Sequence, residues 1–364
     1  MTGHNWIGIL QPSDASKPAQ PGGCVQCHPG LGARPNPIDR LSQADWDNID
    51  CLICHAPAYK RTVVKDGERL RIGPADGVDV LAAARSVGKP STEMCLRCHL
   101  SAGGGPNHKH GVAPTSPAAD VHLAKGVGCV DCHPAVDHRL AGGADLKVRD
   151  APDATVSCAR CHQKAHQGEL AAVLAKHSAR LACQTCHIPA IARDPKFPTM
   201  VRRDWTRPVL NETTGLYGPT NQMTSNVTPV YRWWNGRMRV PPEPVGSIGD
   251  PAAKIFPWKR VAYTVIADAR SSRPIFIKAG VYAVKGDAVA AAKKGAEDAK
   301  QDFSGAIQGQ EEVNLYSLNH QVAPRGQTLA CATCHRSDGI LDFKALGYSA
   351  ERVKALSEAR SSQR

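Results

Sequence analysis

Apolar positions are unevenly spread along this chain. In the first half they come as short runs broken by glycine and proline. Val78–Ser86 predicts a short helix, ended by Gly88 and Pro90. Asp120 stands where an N-cap would start a short helix bearing His122. Gly168–Arg180 predicts a longer helix with Leu170, Val173, Leu174 and His177 on one face. From residue 188 to 320 the pattern changes. This stretch holds Trp205, Trp233, Trp234 and Trp258 and the β-prone runs Ala262–Ile266 and Ile275–Val284. Ala288–Lys300 reads as an exposed helix, and about Phe343–Arg360 as a polar terminal helix. The expected class is mainly α with extensive coil and few short strands. No apolar run reaches the length of a transmembrane helix, so no integral membrane segment is expected.

Composition adds a shortage. The apolar fraction is 42%, but aromatics are only 5%, and the 364 residues include 32 glycines and 27 prolines. Such a chain is rich in turns and short of core-forming bulk, so it needs something else to bury. The 14 cysteines say what. They are Cys24/Cys27, Cys51/Cys54, Cys95/Cys98, Cys129/Cys132, Cys158/Cys161, Cys183/Cys186 and Cys331/Cys334. Each pair is followed at once by a histidine: His28, His55, His99, His133, His162, His187 or His335. CxxCH is the attachment motif of c-type haem. Two thiols add to the haem vinyl groups and the adjacent imidazole ligates iron. Zinc sites do not require histidine directly after the second cysteine, and a disulfide framework would not repeat one spacing without remainder. The cofactor implied is haem c, seven copies in this chain. Motif spacing suggests a haem-packed core over 1–200 carrying six motifs, a haem-free wrapping segment over 201–320, and a last motif with its helix over 321–364.

Charge then reads differently. The formal net charge is +12, which alone would suggest nucleic acid. Seven haems bring roughly 14 propionate charges, enough to neutralise that excess. No nucleic-acid partner is therefore expected, and residual positive charge near an active haem favours a small anionic substrate. Haem is attached to such motifs outside the cytoplasm, so a periplasmic location is expected although no signal peptide is present in this sequence.

Low-spin haem takes a second axial ligand, most often histidine. Outside the motifs lie His4, His108, His110, His122, His138, His166, His177 and His320. Each alone is as readily a surface residue, but seven irons need ligands. His166, four residues after His162, lies on the proximal side of its own haem and is expected to ligate a different one. Lys109 breaks the pattern. It is either a surface lysine in the loop after Gly103–Gly105 or an axial ligand acting as the neutral amine, which burial and metal charge would favour. Asn107 and His108, beside it in sequence, are candidates for anion binding or proton donation.

Several segments resemble the octahaem tetrathionate reductase family of multihaem cytochromes. They are the loop ending in Lys109-His110-Gly111, then Asp120-Val121-His122, Cys129–His138, His177–Pro189, Val227–Gly236, Leu318–Pro324 and Leu341–Tyr348. The resemblance implies a multihaem cytochrome c fold organised by covalently bound haems and poor in helices. It also implies a lysine-ligated catalytic haem and reduction of tetrathionate, nitrite or hydroxylamine. Lys109 matches the family lysine, and the active haem would be the one on Cys24 and Cys27. The family carries one more motif upstream, so this sequence is expected to lack an eighth haem and a leader. With Lys109 on one iron, His4, His110, His122, His138, His166, His177 and His320 then suffice for the other seven. Pro106 stands where the family has an acidic residue, and a non-haem cysteine of the family is absent. Electrons would come from a donor cytochrome or a quinol-linked donor. The other reading is a pure conduit in which every haem has two histidines.

Overall fold

The computed structural model describes residues 30, 42–66, 69–100, 116, 118–136, 138–141, 156–213, 215–239 and 243–358. Described residues within Met1–Ala102 and His122–Ala165 form one compact unit, and those within Gly103–Val121 and His166–Arg364 a second.

The first unit is built of short helices on the cysteine motifs: Leu52–His55, Thr92–His99 and Cys129–Cys132, with a 3-10 turn at Cys158–Arg160. Capping explains where they start. Ser91 Oγ accepts from Met94 N at 3.4 Å ahead of the Thr92–His99 helix, and Asp131 Oδ2 accepts from Gly128 N at 2.8 Å. Asp79 caps Val80–Arg85 through Ala82 N, as the apolar run there suggested. Arg97 ties two motifs together. Its guanidinium donates to the carbonyls of Tyr59 at 3.2 Å and Ile53 at 3.5 Å, and to that of Pro57. An antiparallel hairpin pairs Arg61–Asp66 with Arg69–Pro74. Arg61 is buried against Asp50 at 3.4 Å.

The second unit corrects the expectation of a mainly helical chain with few short strands. It holds a five-stranded sheet in the order Ile307–Ser317, Lys254–Asp268, Thr199–Asn211, Leu216–Thr224, with Val230–Trp234 also paired to Lys254–Asp268. The central strand runs 15 residues, KIFPWKRVAYTVIAD, and is buried along most of its length. Its pairing with Thr199–Asn211 is parallel and its other pairings are antiparallel. The sheet coincides with the cysteine-free stretch because this is where branched and aromatic residues concentrate.

Two local expectations change. Ile275–Val284, β-prone by composition, gives a helix over Ala279–Lys285. Tyr282 anchors it by donating to Trp205 O at 2.9 Å, and Gly286 in the left-handed region ends it. Tertiary contact overrides strand propensity there. The helix Ala288–Ala299 forms as expected but is not wholly exposed. Ala288, Ala291, Ala292, Gly295 and Ala296 are buried in a cluster with Ile266, Ile275 and Tyr282. An alanine stripe is too weakly apolar to announce a core face, yet its small size lets backbone approach.

That approach is closest at Gly295, where a Cβ would fall 1.9 Å from the Phe276 carbonyl oxygen. Helix propensity alone would make Gly295→Ala stabilising by about 1 kcal/mol. We expect destabilisation of about 1–3 kcal/mol from the clash, read as a lower denaturant midpoint with an unchanged slope.

Candidate functional site

In a CxxCH segment one helical turn does most of the positioning. Residues i, i+3 and i+4 share a face, so both sulfurs and the imidazole come out on one side. The turn closes by the histidine amide donating back to the first cysteine carbonyl: His55 to Cys51 at 3.1 Å, His133 to Cys129 at 2.8 Å, His162 to Cys158 and His335 to Cys331 at 2.9 Å. The twelve described cysteines are all free of disulfides.

The third motif departs from the single-turn form. Cys95, Cys98 and His99 are the fourth, seventh and eighth residues of the eight-residue helix Thr92–His99 rather than opening one, and Cys95 N donates back to Ser91 O at 3.2 Å. Cys98, expected from sequence to share a haem edge with Cys95, is half-buried near the end of that helix. Elsewhere in this unit burial lowers the pKa of the Arg61 guanidinium, and Asp50 acts against the burial.

Three motif histidines also have their far ring nitrogen engaged. Nδ1 donates to a backbone carbonyl in His55 (Gly88, 2.8 Å), His133 (Ala141, 2.7 Å) and His335 (Leu356, 2.9 Å). A carbonyl only accepts, so Nδ1 carries the proton and Nε2 keeps its lone pair. That is the tautomer a metal requires, held by the outer contact that orients metal-bound histidines.

Opposite four motif histidines stands a second histidine from elsewhere in the chain. Ring centroids are 6.1 Å apart for His55 and His138, 6.0 Å for His162 and His122, 6.0 Å for His187 and His166, and 5.9 Å for His335 and His177. Two bonds of about 2 Å to one iron, plus the reach from each nitrogen to its ring centre, sum to roughly 6 Å. The same spacing four times fits a haem iron held between two imidazoles. Two pairs lie in each unit. His162 pairs in the first unit, while His166, four residues on, faces His187 in the second. His138 and His166 hold φ of 60° and 62°, a left-handed conformation costing about 1–2 kcal/mol that persists where surroundings over-determine it. Burial and the facing His335 lower the pKa of His177, favouring the neutral, ligating form.

Cysteines of different motifs are neighbours. In the first unit the Cys95 and Cys129 thiols hydrogen-bond, which pulls Cys129 down and pushes Cys95 up. In the second, Leu329 N donates to Cys186 O at 3.0 Å just ahead of Cys331, and burial, with Cys186 and Cys331 close by, pushes Cys334 up to about 12.

His99 closes its helix. His320 lies half-buried in a segment knitted to the Cys183–His187 region. There Ala323 N donates to His187 O at 2.8 Å, and Gln321 Oε1 accepts from Ala192 N at 2.7 Å. Asp120, read from sequence as a cap, is buried, and its carboxylate accepts from Gln321 N at 2.7 Å and Val322 N at 3.0 Å. His4, Cys24, Cys27, His28, Asn107, His108, Lys109 and His110 lie outside the described residues. Sequence reasoning missed the Gly88, Ala141 and Leu356 carbonyls and the Arg97 clamp. A main-chain acceptor leaves no side-chain signature, and an arginine inside a motif looks like any surface charge.

Family models agree with this geometry. Residues 115–188 match "Cytochrome c7 and related cytochrome c", and residues 218–338 match "Cytochrome c bacterial". An octahaem cytochrome c from Shewanella oneidensis superposes with a TM-score of 0.71 at 27% identity, over 97% of this chain and 86% of that one. An uncharacterized protein from Archaeoglobus fulgidus is 31% identical over 182 residues, 42% of this chain and 60% of that relative's length. The chain is similar to multihaem c-type cytochromes, and among them to an octahaem cytochrome c. No helix among the described residues is long and apolar enough to cross a membrane.

The pairing of His166 with His187 has a specific consequence. His166→Ala should turn one low-spin haem high-spin, and that haem should be the one attached at Cys183 and Cys186. Haem peptides from limited proteolysis, probed by resonance Raman, check the assignment. A change confined to the haem at Cys158 and Cys161 contradicts it.

Proposed function

We propose that this cytochrome passes electrons along its haems to a Lys109-ligated haem, where a small sulfur or nitrogen oxyanion such as tetrathionate, nitrite or hydroxylamine is reduced. The single observation carrying the electron-transfer part is the set of four facing histidine pairs at about 6 Å. Two strong ligands saturate an iron and suit it to carrying electrons rather than binding substrate. The catalytic part rests on Lys109 and the family resemblance. Seven haems are proposed for this chain, one at each cysteine pair, Cys95 with Cys98 included. His28 and His99 are proposed as further proximal ligands and His4, His110 and His320 as further distal ones. The three-part division at residues 200 and 320 separates haem-carrying segments from a haem-free scaffold.

Haem, when bound, supplies one-electron storage and an iron site for the oxyanion. The chain's own residues do the rest. Cysteine pairs hold each ring edge, and the paired imidazoles hold its two faces. The Nδ1 bonds to Gly88, Ala141 and Leu356 keep Nε2 deprotonated and aimed. The closeness of Cys95 to Cys129, and the backbone bond from Leu329 to Cys186 just ahead of Cys331, support short steps between neighbouring centres. Lys109, neutral when ligating, would leave the opposite face open to an anion, with His108 and Asn107 to bind it and supply protons. The donor would be a small cytochrome or a quinol-linked protein, and the location the periplasm.

A second reading has a specific observation in its favour. Each of the four pairs is histidine against histidine, as a pure conduit would have throughout. Electron paramagnetic resonance of the oxidised protein separates the two, with Lys109→Ala and added nitrite or tetrathionate. One signal distinct from the bis-histidine centres, moved by the anion and altered in the variant, is the expected result. Spectra untouched by both would leave only the conduit.

A further inference from the structure

Tyr231 lies on the strand Val230–Trp234, paired across to Pro257 of the central strand. It is 4% exposed. Among the described residues its hydroxyl is buried with no hydrogen-bond partner. An orphaned buried hydroxyl costs about 1–3 kcal/mol and calls for a partner that the polypeptide does not supply. A fully buried orphan at Trp258 Nε1 sits in an aromatic setting, edge-to-face with Trp234 at 5.3 Å and tilted against Phe256 at 5.5 Å. The setting of Tyr231 is different. Its core cluster contains Cys334 together with Trp233, Ile255, Leu341, Phe343 and Leu346. Phe343 lies 6.1 Å from the ring of His335, the imidazole facing His177. Burial is the largest cause raising the pKa of the phenol. The phenol therefore keeps its proton and can only donate or accept as a neutral hydroxyl.

We infer that Tyr231 donates its hydroxyl hydrogen to the haem held at Cys331 and Cys334 and thereby raises that haem's reduction potential. The argument stands on haem attachment at Cys331/Cys334 and is independent of Lys109 and of any substrate. Reduction adds one electron to the iron, from ferric to ferrous, and moves no proton from the tyrosine. A hydrogen-bond donor in a buried, low-dielectric site stabilises the more electron-rich, reduced form. Removing it must therefore lower the potential. Tyr231 is thus a positioning and tuning residue, not a catalytic one.

The test is a redox titration of the haem-loaded protein, followed by absorbance, for wild type, Tyr231→Phe and Tyr263→Phe. Tyr263 is the control, because its buried hydroxyl is already bonded to Tyr316 at 2.7 Å. In Tyr231→Phe one component should become harder to reduce by up to about tenfold, which is about 59 mV for a one-electron couple. It should be the component that His177→Met also moves. Tyr263→Phe should leave every component in place. An unchanged titration in fully loaded Tyr231→Phe, or an equal shift in Tyr263→Phe, overturns the inference. Should Tyr231→Phe fail to load its haems, infrared difference spectra of the wild type decide, recorded between oxidised and reduced forms with isotope-labelled tyrosine. A tyrosine C–O band that responds to reduction of that component supports the bond, and a silent band refutes it.

Discussion

The constraint on which the rest of this molecule depends is the holding of two imidazoles about 6 Å apart, four times over. Four such pairs join residues far apart in sequence, the longest reach being from His177 to His335. With an iron between its rings each pair would act as a cross-link, because metal bonds are stronger than any single hydrophobic contact and far more directional. That explains how a chain with 5% aromatics, 32 glycines and 27 prolines can specify a structure. Most of its motif helices are single turns, and even Thr92–His99, which carries Cys95 and Cys98, is short. None would persist alone, since nucleating a helix costs more than one or two turns return. Covalent attachment and axial bonds at the proposed haems would supply what hydrophobic burial does not.

The two units divide the work differently. In the first, short helices, an Arg97 clamp over the Ile53–Tyr59 backbone and a buried Arg61–Asp50 pair do the holding, with little apolar mass. In the second, the five-stranded sheet supplies a conventional core, and motif seven packs onto it through Cys334, Leu341, Phe343 and Leu346. The same sheet carries Tyr231 to that motif. A rigid, apolar wall beside a redox centre limits water access and so helps set its potential. A sheet that carries no CxxCH motif thus forms part of the surroundings of one.

What was legible in the sequence was whatever chemistry writes in fixed spacing. CxxCH must be local, because one helical turn has to present both thiols and the imidazole, so motifs and cofactor class could be read from residues alone. The short helices Val80–Arg85 and Ala171–Arg180 were legible for the same reason, as caps and periodicity are local. The sheet was partly legible, in that its β-prone residues were visible while its length and pairing were not. Strand order depends on contacts between residues such as Ala262, Arg202 and Val313 that no local window contains. Small residues hid the buried face of Ala288–Ala299. Which distant histidine faces which motif, that Nδ1 is held by Gly88, Ala141 or Leu356, and that Tyr231 packs in one cluster with Cys334 were decided only by the tertiary structure. These are relations between segments far apart in sequence, and they arise only once the backbone has brought those segments together.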